Sequence, residues 1–203
     1  MKESKSLTVQ NDIRYRWLTP RDIPSAMRLK TIAGWNQIEK DWIRVLELWP
    51  EGCRAAFQGE RLVGTTAALD FGRDWAWISM VLVVPEFRSQ GIGRRLVESA
   101  VEQVRGCTRI GLDASPAGEK LYRSLGFKEQ FNIHRLVGPA ANVWPDLDGT
   151  VHPLLARDFP ARCAIDGPIF GADRDSLLAS LLKDGSELAW YLPGGAFCLG
   201  RPG

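Results

Sequence analysis

The chain has 203 residues, 25% of them charged, and a formal net charge of +2. That balance gives no reason to expect a nucleic acid or a membrane surface as partner, and no stretch is long and apolar enough to span a bilayer. Four scattered cysteines without a C-x-x-C, and two histidines far apart, argue against a disulfide framework and against a metal site, and suit a reducing, cytoplasmic setting.

Residues 1–12 read as a polar, flexible leader without the apolar segment of a secretory signal. Ile13 to Trp17 alternates apolar and polar side chains, which predicts a first strand. Thr19-Pro20-Arg21-Asp22 then opens a helix, with Thr19 as N-cap, Pro20 at the first helical position and Asp22 favoured by the dipole. Gly34 ends that helix. After Trp35-Asn36, a second helix carries Trp42, Val45, Leu46 and Trp49 before Pro50 and Gly52 close it. Cys53 to Phe57 and Leu62 to Leu69 predict two strands around a turn at Gly59.

Trp75 to Val84 is an apolar run that suits a strand buried on both faces. Pro85 stops it, having no N–H for a ladder. A polar turn containing Arg88, Ser89 and Gln90 leads to Gly91-Ile92-Gly93. Leu96, Val97, Ala100, Val101 and Val104 follow at helical spacing. Strand, glycine turn, helix is an arrangement that leaves the first N–H groups of the helix unpaired and lets a ligand approach the backbone. The dipole and Arg88, Arg94 and Arg95 favour an anion there, with phosphate or pyrophosphate as the natural guest. No Gly-Lys-Ser/Thr follows, and no third glycine completes a dinucleotide fingerprint. Further on, Arg109 to Leu112 predicts a strand, residues 117–125 a short helix ended by Gly126, and residues 127–137 a closing strand.

Arg88-x-x-Gly91-x-Gly93 behind a Leu-x-Val-x-Pro strand resembles the acetyl-CoA signature of the GNAT N-acetyltransferase superfamily. Leu121-Tyr122-Arg123-Ser124-Leu125-Gly126-Phe127 resembles its second signature, and residues 13–138 follow its element order. The resemblance implies a mixed α/β sheet whose fourth and fifth strands splay apart. It also implies acetyl-CoA as donor, with its pyrophosphate on Arg88, Ser89, Gln90, Gly91, Ile92, Gly93 and Arg94. The pantetheine arm would lie along Met80, Val81, Leu82 and Val83, with Ser115, Gly118, Leu121 and Tyr122 flanking it. The residue-level argument agrees, because splayed strands expose backbone groups that need partners.

Residues 139–203 change character. A Pro- and Asp-containing linker comes first, then a predicted helix from Phe170-Gly171-Ala172-Asp173 with Leu177, Leu178, Leu181 and Leu182 as its stripe. Strands are expected around Glu187 to Leu192 and Ala196 to Leu199. This resembles the start of a second GNAT unit, cut short before any acetyl-CoA loop. Gly34-Trp35-Asn36 and Asp113-Ala114-Ser115-Pro116-Ala117-Gly118 likewise resemble two-unit members. The short unit is expected to complete the acceptor pocket or to form a homodimer interface.

Acyl transfer to an amine needs a neutral nucleophile, a donor for the oxyanion and a proton for the thiolate. The N–H of Val81 or Leu82 is the candidate oxyanion donor. Tyr122 matches the family's general acid, against the alternative that it simply packs. The predicted fourth strand carries no carboxylate, so Asp113 is the candidate base, with Glu39 and Asp70 behind it. A water relay from main-chain carbonyls and Ser79 is an equal alternative. Trp35, Asn36 and Trp77 are candidate acceptor contacts, since an indole face suits a cation. Three readings stand. The first is an N-acetyltransferase acting on a small or amino-acid-like primary amine. The second is a non-catalytic acyl-CoA sensor. The third is an interaction scaffold, which leaves the glycine loop without a purpose.

Overall fold

The computed structural model describes residues 12–134 and 150–201. Five strands form the main sheet in sequence order: β1 (Ile13–Trp17), β2 (Cys53–Gln58), β3 (Arg61–Asp70), β4 (Trp75–Val83) and β5 (Arg109–Leu112). The first three neighbouring pairs are antiparallel and β4 with β5 is parallel. That last pair is connected through α3 (Ile92–Gln103), as a parallel crossover requires. Between β1 and β2 run α1 (Ile23–Ile32) and α2 (Glu39–Leu48), and α4 (Pro116–Ser124) follows β5.

Side-chain alternation decides which helix lies on which face. Tyr15 carries the Arg95 guanidinium of α3 over its ring at 4.2 Å. Its neighbour Arg16 points the other way and grips Asp22, at the start of α1, through two bonds of 2.8 Å. Helices α3 and α1 therefore cover opposite faces. Eight consecutive residues of β3, Leu62 to Leu69, are buried because the strand is central and covered on both sides. The core gathers Leu29, Trp42, Val63, Leu82, Ile92 and Leu96.

Strand β4 differs from its expectation. Buried and half-buried residues alternate along it rather than all being enclosed. Trp75, Trp77 and Ser79 lie on a face that is left partly open, and Ala76 and Ile78 pack beneath α3 with Ala100 and Val104. Residues 127–134 form no strand, contrary to the expected closing strand, and Phe131 and Ile133 are exposed. No strand among the described residues pairs with them, and alternation alone does not make a strand. Residues 135–137 of that expectation, like the leader at 1–11 and most of the linker, lie outside the described residues.

The C-terminal part forms a second sheet, β6 (His152–Pro153), β7 (Ala189–Tyr191) and β8 (Phe197–Leu199), with α5 (Phe159–Phe170) and α6 (Asp175–Asp184) between β6 and β7. The helix expected to start at Phe170-Gly171-Ala172-Asp173 instead starts at Asp175, because Phe170 is the last residue of the preceding helix α5. Pro168 sits in the last turn of α5, and Gly171, at φ 87°, ends it. The order strand, short 3-10 turn, two helices, 3-10 turn, two strands recurs from the first part of the chain. Details recur as well: Leu18 N–H bonds the Cys53 carbonyl at 3.0 Å, and Leu154 N–H bonds that of Ala189 at 2.9 Å.

The two parts are joined by side chains. Phe170 meets Phe71 edge-on at 5.5 Å, and Phe71 meets Trp49 at 5.3 Å. Arg44 of α2, only 5% exposed, donates to Ser180 (3.0 Å) and Asp184 (2.7 Å) of α6. Among the described residues no helix is long and apolar enough to cross a membrane, and no acidic, cysteine and histidine side chains cluster as a metal would need.

Candidate active site

The site begins where β4 loses its neighbour. Pairing with β5 runs from Trp75↔Arg109 to Ile78↔Leu112 and stops there. From Ser79 to Val83 the edge of β4 facing β5 is open, while its other edge remains on β3. An irregularity sits at this point: Thr65 pairs with Leu82 and Ala67 with Ser79, so Met80 and Val81 oppose the single Thr66. Met80 takes φ 52°, a left-handed conformation unusual for its side chain. The buried Thr65 hydroxyl donates to the Met80 carbonyl at 2.8 Å and holds the bulge. The backbone between Met80 and Val83, expected to meet the pantetheine arm, is thus the open segment. Thr65 itself was missed; its signal was a hydroxyl inside an apolar strand, where a buried polar group needs a partner.

Beyond β4 the chain turns through Pro85–Phe87 into the glycine loop. Gly91 is the N-cap of α3 at φ 81°, and nothing lies within 4 Å of where a Cβ would stand. The first bond closing the helix runs from Arg95 N–H to the Gly91 carbonyl (3.0 Å). The N–H groups of Ile92, Gly93 and Arg94 therefore have no partner within the helix. Ser89, at φ 59°, adds a second left-handed residue to the loop. Arg88 braces it by donating to the Val83 carbonyl at 3.0 Å, and Gln90 donates to that of Glu86 at 3.0 Å. Arg94 pairs with Glu98 at 3.1 Å and reaches Ser124 of α4 at 2.6 Å, tying the two helices together. Gly93 has a different role from Gly91: a Cβ there would stand 3.5 Å from Leu121 and 3.6 Å from Val83, at ordinary contact.

Tyr122 is buried on α4, with its ring edge-on to Phe127 at 6.2 Å. Burial raises its phenol pKa above the ordinary value. Among the described residues its hydroxyl has no hydrogen-bond partner, so the donor is unspent. A Cβ at Gly118 would stand 2.7 Å from that ring, so this glycine makes room for Tyr122. Ser115 is the exposed N-cap of α4, and its carbonyl accepts from Gly118 (2.9 Å) and Glu119 (3.1 Å).

Asp113 follows the end of β5 and is exposed, although partial desolvation raises its carboxyl pKa. The other acidic candidates have structural positions. Glu39 is exposed in the first turn of α2. Asp70 accepts from Gly72 N–H at 2.8 Å, and its carbonyl accepts the Trp49 indole at 2.7 Å. Trp77 lies across β5, where a Cβ on its register partner Gly111 would stand 2.5 Å from the indole. Trp35 and Trp77 both flank the main core cluster, half-buried, and Asn36 is exposed with its carbonyl facing Arg201 at 3.4 Å.

An open strand edge beside an unpaired helix N-terminus is matched by family-level similarity. Residues 15–127 match the model of the acetyltransferase (GNAT) family. The chain belongs to the GNAT family. The relatives extend that likeness past the GNAT match. An uncharacterised N-acetyltransferase of Bacillus subtilis, YitH, is 26% identical over 168 residues, covering 81% of this chain and 58% of its own. A holothin acyltransferase of a Pseudoalteromonas species is 28% identical over 152 residues, 74% of this chain and 49% of its own. The chain thus spans about half the length of these curated relatives. The ribosomal protein bS18-alanine N-acetyltransferase of Escherichia coli is 30% identical over 122 residues, covering 53% of this chain and 78% of its own. The GNAT fold is also seen in a provisionally assigned acetyltransferase of Pyrococcus horikoshii. That structure superposes on the whole chain and on 72% of its own, with a TM-score of 0.75 at 23% identity.

Proposed function

We propose that this GNAT protein transfers an acetyl group from acetyl-CoA to the primary amine of a small-molecule or amino-acid-like acceptor. The observation that carries the reading is the open β4 edge ending against the α3 N-terminus. An acyl-CoA combines an anionic pyrophosphate with amide groups along its arm. The unpaired N–H groups after Gly91 suit the first, and the backbone of Met80, Val81, Leu82 and Val83 suits the second. The space above Gly91 leaves room for such a guest.

In this reading the amine nitrogen attacks the thioester carbonyl carbon directly. A C–N bond forms, a tetrahedral intermediate collapses and the C–S bond breaks. The Val81 or Leu82 N–H stabilises the oxyanion. The phenol of Tyr122, held neutral by burial, gives its proton to the leaving thiolate. The amine proton leaves to Asp113 or through water at Ser79, since β4 carries no carboxylate. That missing carboxylate also favours a second reading, a non-catalytic acyl-CoA sensor.

The relatives named for their acceptors set the test panel: holothin in one case, an alanine of a ribosomal protein in another. Thiol release from acetyl-CoA is measured over small amines, amino acids, polyamines and alanine-ended peptides, with coenzyme A binding by calorimetry alongside. Turnover with one class supports the enzyme and names its acceptor. Tight binding without turnover supports the sensor, and absence of binding removes both.

A further inference from the structure

We infer that Arg201 is a positioning residue, through which the C-terminal part fixes the α1–α2 loop at the acceptor site. The inference rests on the acyltransferase reading above, and it starts from the carboxylate of Asp41. That group is 8% exposed, yet it carries a charge, so its oxygens must be satisfied. One oxygen accepts Arg44 at 3.0 Å. The other accepts the Ile38 N–H at 2.9 Å and pairs with Arg201 at 3.1 Å. Arg44 continues to Asp184 at 2.7 Å, and Lys40 approaches the same carboxylate at 3.8 Å. The network joins the start of α2, the end of α6 and the chain after β8.

Arg201 does one thing the rest of the network does not. The same guanidinium nitrogen that pairs with Asp41 also points at the main-chain carbonyl of Asn36, at 3.4 Å. The loop there has little else to hold it. Gly34 and Trp35 donate back to α1, but among the described residues no backbone carbonyl accepts from the N–H of Asn36 or Gln37. Gln37 in addition buries its side-chain oxygen without a partner, an acceptor that a bound N–H would satisfy. Arg201 thus sets the path of the loop between Trp35 and the first turn of α2, and with it where Trp35, Asn36 and Gln37 stand. An acceptor that rests on this loop feels the change; acetyl-CoA, bound through β4 and α3, does not.

The test compares Arg201→Ala and Arg201→Lys with the unaltered chain, by hydrogen exchange of residues 33–38 and by steady-state kinetics. In Arg201→Ala the loop exchanges faster while β4 and α3 do not change. The acceptor KM rises about ten-fold and the acetyl-CoA KM stays within about two-fold. Lysine keeps the charge beside Asp41 but lacks the planar fork, so it restores stability more fully than it restores acceptor KM. Unchanged loop exchange, or equal shifts in both KM values, overturns the inference. Should the unaltered chain turn over no amine while the loop still loosens in Arg201→Ala, the acyltransferase reading falls and the clamp stands.

Discussion

The hydroxyl of Thr65 donates to the carbonyl of Met80 across a distance of 2.8 Å, inside the sheet and away from water. Met80 is left-handed at φ 52°, so this bond stabilises a conformation its side chain disfavours. Thr65→Val removes the donor at nearly constant shape. It leaves a buried carbonyl unpaired, at a cost of about 1–3 kcal/mol. Urea unfolding reads that loss. If the bulge aims the oxyanion donor, turnover falls with it by about ten-fold or more, and Thr65→Ser restores both. Unaltered stability in Thr65→Val would mean that the bulge needs no lock.

Tyr122 separates an acid from a packing residue. In Tyr122→Phe the ring and its contact with Phe127 remain, so acetyl-CoA affinity by calorimetry is expected to stay unchanged. Turnover should drop by about 100-fold if the phenol protonates the thiolate. Burial moves the phenol pKa upward. The protonated, active form therefore persists to higher pH than in a free phenol, and Tyr122 itself contributes no loss of rate near neutrality. Full activity in the phenylalanine variant would leave Tyr122 as packing alone.

Gly91 combines a conformational and an electrostatic requirement. At φ 81° an alanine is strained even though its Cβ meets nothing, so Gly91→Ala should lose about 1 kcal/mol in thermal or urea unfolding. Gly91→Glu adds bulk and negative charge at the helix N-terminus, and coenzyme A binding should vanish in calorimetry. Retained affinity would put the pyrophosphate elsewhere.

The pair of Arg16 with Asp22 sets an acid limit on stability. The Arg16 hydrogen bonds, assisted by those from Thr19, lower the Asp22 pKa from 3.8 to about 2 in the folded chain. A depressed carboxylate contributes stability that is fully present above the unfolded value and is lost as pH falls through the folded one. The contribution, on the order of 2 kcal/mol, should therefore fade between about pH 4 and pH 2. Acid titration of the unfolding midpoint should show it, and Asp22→Asn should flatten that part of the curve.

What could be read in the sequence was what local chemistry decides. Pro85, Gly91 and the spacing of Leu96, Val97 and Ala100 state a strand end, a turn and a helix face, and the structure has them there. Thr19 and Asp22 likewise announce the helical turn at Pro20–Asp22 that leads into α1, where Asp22 accepts both the Thr19 N–H (2.8 Å) and its hydroxyl (2.7 Å). Failures came where a distant partner decides. Alternation at residues 127–134 has no strand to pair with among the described residues. The helix start expected at Phe170 falls instead on the last residue of α5, and α6 begins at Asp175. The Met80 bulge depends on Thr65, and the Asn36 loop on Arg201; neither pairing leaves a trace in local spacing.

The contact between Arg201 and Asn36 joins residues 165 positions apart. On the ribosome, α1, α2 and the five strands of the main sheet are all made before Arg201. Asp41 has Ile38 and Arg44 beside it in the chain from the start, and gains Arg201 only when synthesis has passed the second sheet. The α1–α2 loop accordingly gains its contact with Arg201 only after the open edge of β4 and the start of α3 have been made.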